Sequence, residues 1–151
     1  MTEVLFYHLT RNSLQQALPG LLERCLERDW RVTVQVPDTA LRNELNDHLW
    51  TFRDESFLPH GAEGDKDQNQ AEQPIWLTTT TENPNASVVR FVVGTSVPAG
   101  TETYQRMIYM FDGDDDEAVS AARERWKIEK SAGHELTYWQ QDEAGRWQKS
   151  A

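Results

Sequence analysis

With one cysteine, Cys25, the chain can form no internal disulfide, and a lone thiol fits a reducing compartment. No run approaches the 18 or so apolar residues that a membrane-crossing helix needs. The opening stretch MTEVLFYHLT places an acid ahead of its apolar run, unlike the basic start of a secretory signal. A cytoplasmic protein with no membrane contact is therefore expected. Cations are scarce as well: 15 Lys and Arg stand against 25 Asp and Glu, a net charge of −10. Phosphate contacts need clustered cations, so the chain is not built to coat nucleic acid with its whole surface.

The motifs of common chemistries are missing too. A dinucleotide site would place glycines between the first strand and the first helix, where the backbone approaches a pyrophosphate. That stretch here is His8–Leu9–Thr10–Arg11–Asn12–Ser13, with no glycine, and no G-x-x-x-x-G-K-[ST] loop occurs anywhere. The four histidines are scattered without an H-x-x-x-H pair, whereas a zinc site needs three or four converging ligands. An acidic run opens at Asp112 but has Glu117 and Arg123 where a calcium loop needs glycine and glutamate. Its carboxylates suit the positive end of a helix dipole instead. No G-x-S-x-G elbow is present. The expectation is a protein with no cofactor, no metal and no catalytic residues.

What is present alternates between strand and helix patterns. Val4–Tyr7 is a short apolar run, followed by Ser13 and Gln16 at capping-box spacing and a leucine-rich helical stripe that includes Cys25. Pro19 falls inside that stripe, so the helix starts near it or kinks. Arg31–Val36 alternates as a strand, Thr39 can cap a helix to about Trp50, and Phe57–Leu58 is a possible short strand. Further strands are predicted at Ile75–Thr78, Arg90–Val93, Arg106–Phe111 and His134–Trp139, with a last helix from Glu117 to about Ala132, closed by Gly133. Lengths and order give one α/β domain over residues 1–151: a mostly parallel twisted sheet with helices on both faces, Rossmann-like but without a nucleotide loop. Residues 61–74 hold no apolar side chain larger than alanine and are expected to form a mobile surface loop.

The last helix carries the most distinctive surface. At 100° per residue Ala118, Ala121, Ala122, Ile128 and Ala132 form the expected core stripe, with Arg125 on it and therefore snorkelling or paired internally. Val119, Arg123, Trp126 and Lys130 share the adjoining face, with Lys127 at its margin. Such a face suits a ligand both anionic and apolar, for instance an acidic peptide ending in an aromatic residue. A second cluster, Leu49–Trp50 and Phe57–Leu58–Pro59–His60, sets large apolar groups around a polar break.

At these two clusters the chain resembles the chi subunit family of bacterial DNA polymerase III. The matching pieces are Phe6–Tyr7, L-W-x-x-x-x-x-S-F-L-P-H from Leu49 to His60, and R-E-R-W-K from Arg123 to Lys127 followed by Ala132–Gly133. The resemblance implies an α/β sandwich without a nucleotide site and an accessory subunit of the clamp-loader complex without enzymatic activity. It implies binding of the acidic C-terminal tail of single-stranded DNA-binding protein and, separately, of the psi subunit or a helicase, with DNA contact indirect. The family's tail-binding arginine corresponds to Arg123, its aromatic partner to Trp126 and its next lysine to Lys127. A family lysine one turn earlier corresponds to Val119, a loss for which Lys130 can compensate. The surface for psi or a helicase would include Trp50 and Phe57. The rival from another class is a nucleotide-binding α/β enzyme, and the glycine-free first loop speaks against it.

Overall fold

The computed structural model describes residues 2–51, 60–62 and 73–150, with the side chains of Trp50 and Thr51 outside that set. Among the described residues eight strands form one sheet: β1 (Glu3–Leu9), β2 (Val32–Gln35), β3 (Gly61–Ala62), β4 (Ile75–Thr78), β5 (Val89–Val93), β6 (Arg106–Asp112), β7 (Glu135–Gln141) and β8 (Trp147–Lys149). They lie in the order β3-β4-β2-β5-β6-β1-β7-β8. All neighbours are parallel except the final hairpin of β7 and β8. The helices are α1 (Leu14–Glu27), α2 (Thr39–Thr51) and α3 (Asp116–Ser131). The α/β architecture with a mostly parallel sheet agrees with the sequence pattern.

Successive strand residues point to opposite faces, and each face has its own core. Leu5, Leu9, Val34, Phe91, Ile108 and Met110 meet Leu18, Leu22 and Cys25 of α1 and Leu45 and Leu49 of α2. On the other face Val4, Phe6, Met107, Tyr109 and Phe111 meet Ala118 and Ala122 of α3. Burial pushes the Cys25 thiol up to about 11, as befits a structural side chain rather than a nucleophile.

The helix ends follow local chemistry. Ser13 and Gln16 form the expected capping box at α1, the Ser13 hydroxyl accepting from the Gln16 amide at 3.2 Å and Gln16 Oε1 from the Ser13 amide at 2.9 Å. Pro19 lies within a continuous α1 rather than starting it. Its missing N–H would leave the Gln15 carbonyl without a donor. His48 of α2 supplies one, Nε2 lying 2.7 Å from that oxygen. The start of α2 is capped by Asp38, not by Thr39: Asp38 Oδ1 accepts from the Leu41 amide at 2.8 Å. Asp115 caps α3 through the Glu117 and Ala118 amides, and Gly133 follows its end in a left-handed conformation, φ +86°.

Two segments differ from their sequence reading. Gly61–Ala62, read as the opening of a surface loop, pair with Trp76 and Leu77 as buried strand β3, whereas residues 63–72 lie outside the described set. The strand expected at Phe57–Leu58 lies outside it as well. The tail past Gln140, whose sequence is polar apart from Trp147 and carries no expected strand, forms β8 after a turn in which Asp142 Oδ1 accepts from the Ala144 and Arg146 amides, both at 2.9 Å. Among the described residues no helix is long and apolar enough to cross a membrane.

Candidate docking site

The register of the central strands builds one wall of the site. Phe6 of β1 sits between Tyr109 of β6 and Tyr138 of β7. The three rings lie nearly parallel, Phe6 4.8 Å from Tyr109 and 6.4 Å from Tyr138 between centroids. Trp126 of α3 lies across this ladder, 5.2 Å from Phe6 and 5.9 Å edge-on to Tyr138. It is half-buried, one flank packed on these rings. Its other flank, with Phe111, Val119, Ala122, Arg123, Lys127 and Tyr138, lines a pocket of about 370 Å³. That size lies at the small end of ligand pockets.

The pocket is apolar inside and cationic at its rim. Arg123 and Lys127 are exposed, and among the described residues no carboxylate pairs with either. Arg125, two positions on, behaves oppositely. Its guanidinium turns inward, with Nη2 3.0 Å from Glu129 Oε1 and Nε donating to the Tyr109 hydroxyl at 3.1 Å. Internal pairing of Arg125 was one of the two outcomes the sequence allowed. Burial, with the Glu129 carboxylate next in weight, pushes the Tyr109 phenol up to about 12. The R-E-R spacing thus separates one inward-turned arginine from one exposed to solvent.

The helix is turned relative to the expected stripe. Ala118 and Ala122 are buried as expected, but Ile128 and Ala132 are exposed and Glu129 is buried in their stead. The rotation carries Val119 and Trp126 onto the second core. Lys130 is exposed and is not among the lining residues. Phe111, Ala122 and Tyr138 line the pocket without having been singled out. The alternation of HELTYW, which sets Leu136 and Tyr138 on one face, is the signal that could have found Tyr138.

Of the two aromatics expected to meet a second partner, Trp50 falls in the last turn of α2, and Phe57 lies outside the described residues. Beside them Leu49 is buried in the core, and His60 is buried with Nε2 3.3 Å from the Asn46 carbonyl.

At the C-terminal strand ends, where open parallel sheets bind nucleotides, a cavity of about 260 Å³ is bordered by Leu9, Ser13, Asp112 and Asp115. Two of these are carboxylates, which repel phosphate. The amides of Thr10, Arg11 and Asn12, which could cradle an anion, all donate to Gln141 Oε1 at 3.1, 3.0 and 3.1 Å. Gln141 Nε2 in turn donates to Asn12 Oδ1 at 2.6 Å. The loop's donors are engaged by the chain's own carboxamide. Gln141→Ala is expected to destabilise the fold by about 1–3 kcal/mol, the scale for stranding such groups, measured by urea denaturation. Among the described residues no three His, Cys, Asp or Glu side chains group to hold a metal.

Comparison with known proteins places this geometry in context. A family model described as "DNA polymerase III chi subunit, HolC" matches residues 1–137. A "Probable DNA polymerase III subunit chi" of Rickettsia prowazekii is 26% identical over 161 aligned positions, covering 100% of this chain and 93% of the relative. A "DNA polymerase III subunit chi" of Pseudomonas aeruginosa is 29% identical over 117 positions, covering 75% of this chain and 79% of the relative.

Proposed function

Because the chain belongs to the DNA polymerase III chi subunit family, an accessory part of a replicative polymerase, we propose that it docks the acidic C-terminal tail of single-stranded DNA-binding protein in the pocket on α3. It acts in the cytoplasm, catalyses nothing itself and meets DNA through its partners. The observation that carries this reading is the rim of Arg123 and Lys127, which no carboxylate pairs among the described residues, around an aromatic cavity on a protein of net charge −10. Acidic residues of a docked chain meet the cations, and its apolar end enters between Trp126, Val119 and Phe111. Val119 adds apolar area where the family carries a lysine, and Lys130, one turn beyond Trp126, extends the cationic face. A second surface, at Trp50 and Phe57, engages psi or a helicase.

Micromolar docking corresponds to roughly −8 kcal/mol. Exposed charges are screened beyond about 8 Å at physiological ionic strength, so the affinity falls as salt rises. Arg123 is expected to contribute most, because guanidinium and carboxylate form directional paired bonds. Arg123→Ala should weaken the tail peptide by about 1.5–3 kcal/mol, the scale of a hydrogen bond to a charged group. Calorimetric titration tests this, and equal affinity for wild type and Arg123→Ala overturns the assignment.

A further inference from the structure

Behind the pocket stands a pair of side chains that the docking reading does not use. Tyr138 contributes its ring to the lining, and its hydroxyl lies 2.7 Å from His8 Nδ1. His8 is fixed on its other sides. Its ring tilts against Phe111 at 4.9 Å, and its far edge, at Nε2 and Cδ2, fills the space where a Cβ on Gly113 would stand. Gly113 has no left-handed backbone to demand a glycine, so the close ring is what an alanine there would displace.

We propose that Tyr138, positioned by His8, is a specificity-determining donor to the terminal carboxylate of the docked chain end. The inference rests on the docking reading above. Arg123 and Tyr138 line the same pocket, so a carboxylate held by the guanidinium lies within the cavity that the Tyr138 ring borders. When His8 Nδ1 carries a proton it donates to the phenol oxygen. The phenol's own hydrogen is then free to point to a carboxylate already held by Arg123. Burial raises the Tyr138 pKa, so the phenol keeps that hydrogen at neutral pH. The clamp thus combines one charged donor with one neutral donor of fixed direction, an arrangement that separates a chain terminus from an internal acidic side chain.

The imidazole gives the pair a pH signature. The charged groups acting on it are Asp112 at the end of β6, Asp114 of the turn that follows and Arg123 of α3, with the Tyr138 phenol from β7. Burial, helped by Arg123, holds its pKa below the ordinary 6.5, against the pull of Asp112 and Asp114. A bound carboxylate opposes that depression, so docking favours protonated His8 and tightens as pH falls towards and below the ordinary 6.5.

The test is calorimetric titration of the full chain with a synthetic acidic peptide ending in phenylalanine, as the free acid and as the C-terminal amide. Tyr138→Phe is expected to weaken the free acid roughly tenfold, the worth of one hydrogen bond to a charged acceptor, and to leave the amide unchanged. His8→Leu and Gly113→Ala should each reproduce part of that loss. His8→Asn, whose amide reaches the Nδ1 position, should retain affinity at pH 8 and flatten the pH profile. Tyr138→Phe binding both peptides as the wild type does overturns this inference and leaves the Arg123 docking site standing. A wild type that binds neither peptide overturns both.

Discussion

Arg125→Ala is expected to lower stability by about 3–5 kcal/mol, the range for breaking a buried ion pair by removing one partner. The urea midpoint should fall with little change in slope. Glu129 is 2% exposed. Its Oε1 takes the Arg125 Nη2 bond at 3.0 Å and a longer one from the Thr101 hydroxyl at 3.4 Å, and its buried Oε2 has no hydrogen-bond partner among the described residues. Without the guanidinium that carboxylate loses its only ion-pair partner among the described residues, and the Tyr109 hydroxyl loses a donor. Water cannot fully replace either, because the Arg125 side chain is itself only 17% exposed. Removing both ends together, as Arg125→Met with Glu129→Leu, should recover most of the loss, since buried pairs often exchange for apolar groups at little cost. If Arg125→Ala unfolds at the wild-type midpoint, the pair is not desolvated and the rotation of α3 is set by other contacts.

That rotation explains what the sequence disclosed of the site and what it withheld. A helical wheel places Arg123, Trp126 and Val119 on one face whatever the packing, so their neighbourhood was legible. Which side of that face turns inward was not. Apolar character drew the expected core towards Ile128 and Ala132, yet both are exposed, because the buried salt bridge lets Glu129 take the inner position. The strands were legible from β-branched runs and alternation, and the parallel course of β1 and β2 from the helix between them, whereas β4, β5 and β6 follow one another without an α-helix to signal it. β8 was missed because Trp147 is its one large apolar residue. The marker was the turn before it, Asp142 to Gly145, where Gly145 takes φ +82°. The His8–Tyr138 contact spans 130 positions, and no local pattern reports a meeting that depends on β1 lying between β6 and β7. The mutual service of Pro19 and His48 escaped for the same reason.

Arg90 is the second position where a large effect is expected, and there the sequence pattern concealed a charge in the core. The sequence pattern places a strand at Arg90–Val93, with the arginine as its first residue. Instead β5 begins at Val89, and Arg90 is fully buried in the sheet interior. Its Nε and Nη2 both donate to Gln35 Oε1, at 3.1 and 2.8 Å. Nη2 also donates to the Thr80 carbonyl at 2.6 Å, and Nη1 to the Glu82 carbonyl at 2.9 Å and the Tyr104 hydroxyl at 3.1 Å. Among the described residues no carboxylate compensates the charge, which is solvated by neutral oxygens set at the corners of a planar fork. Geometry, more than charge, is then what the site requires. Arg90→Lys keeps the charge but brings only three donors from one nitrogen, so it cannot span Gln35, Thr80, Glu82 and Tyr104. It should destabilise by about 2–3 kcal/mol, and Arg90→Ala, which adds a cavity and strands every acceptor, by about 4–5 kcal/mol. Hydrogen exchange should quicken in the segment from Thr79 to Glu82, whose carbonyls the guanidinium ties to β5. A lysine variant as stable as the wild type, with unchanged exchange in that segment, would show that charge alone suffices.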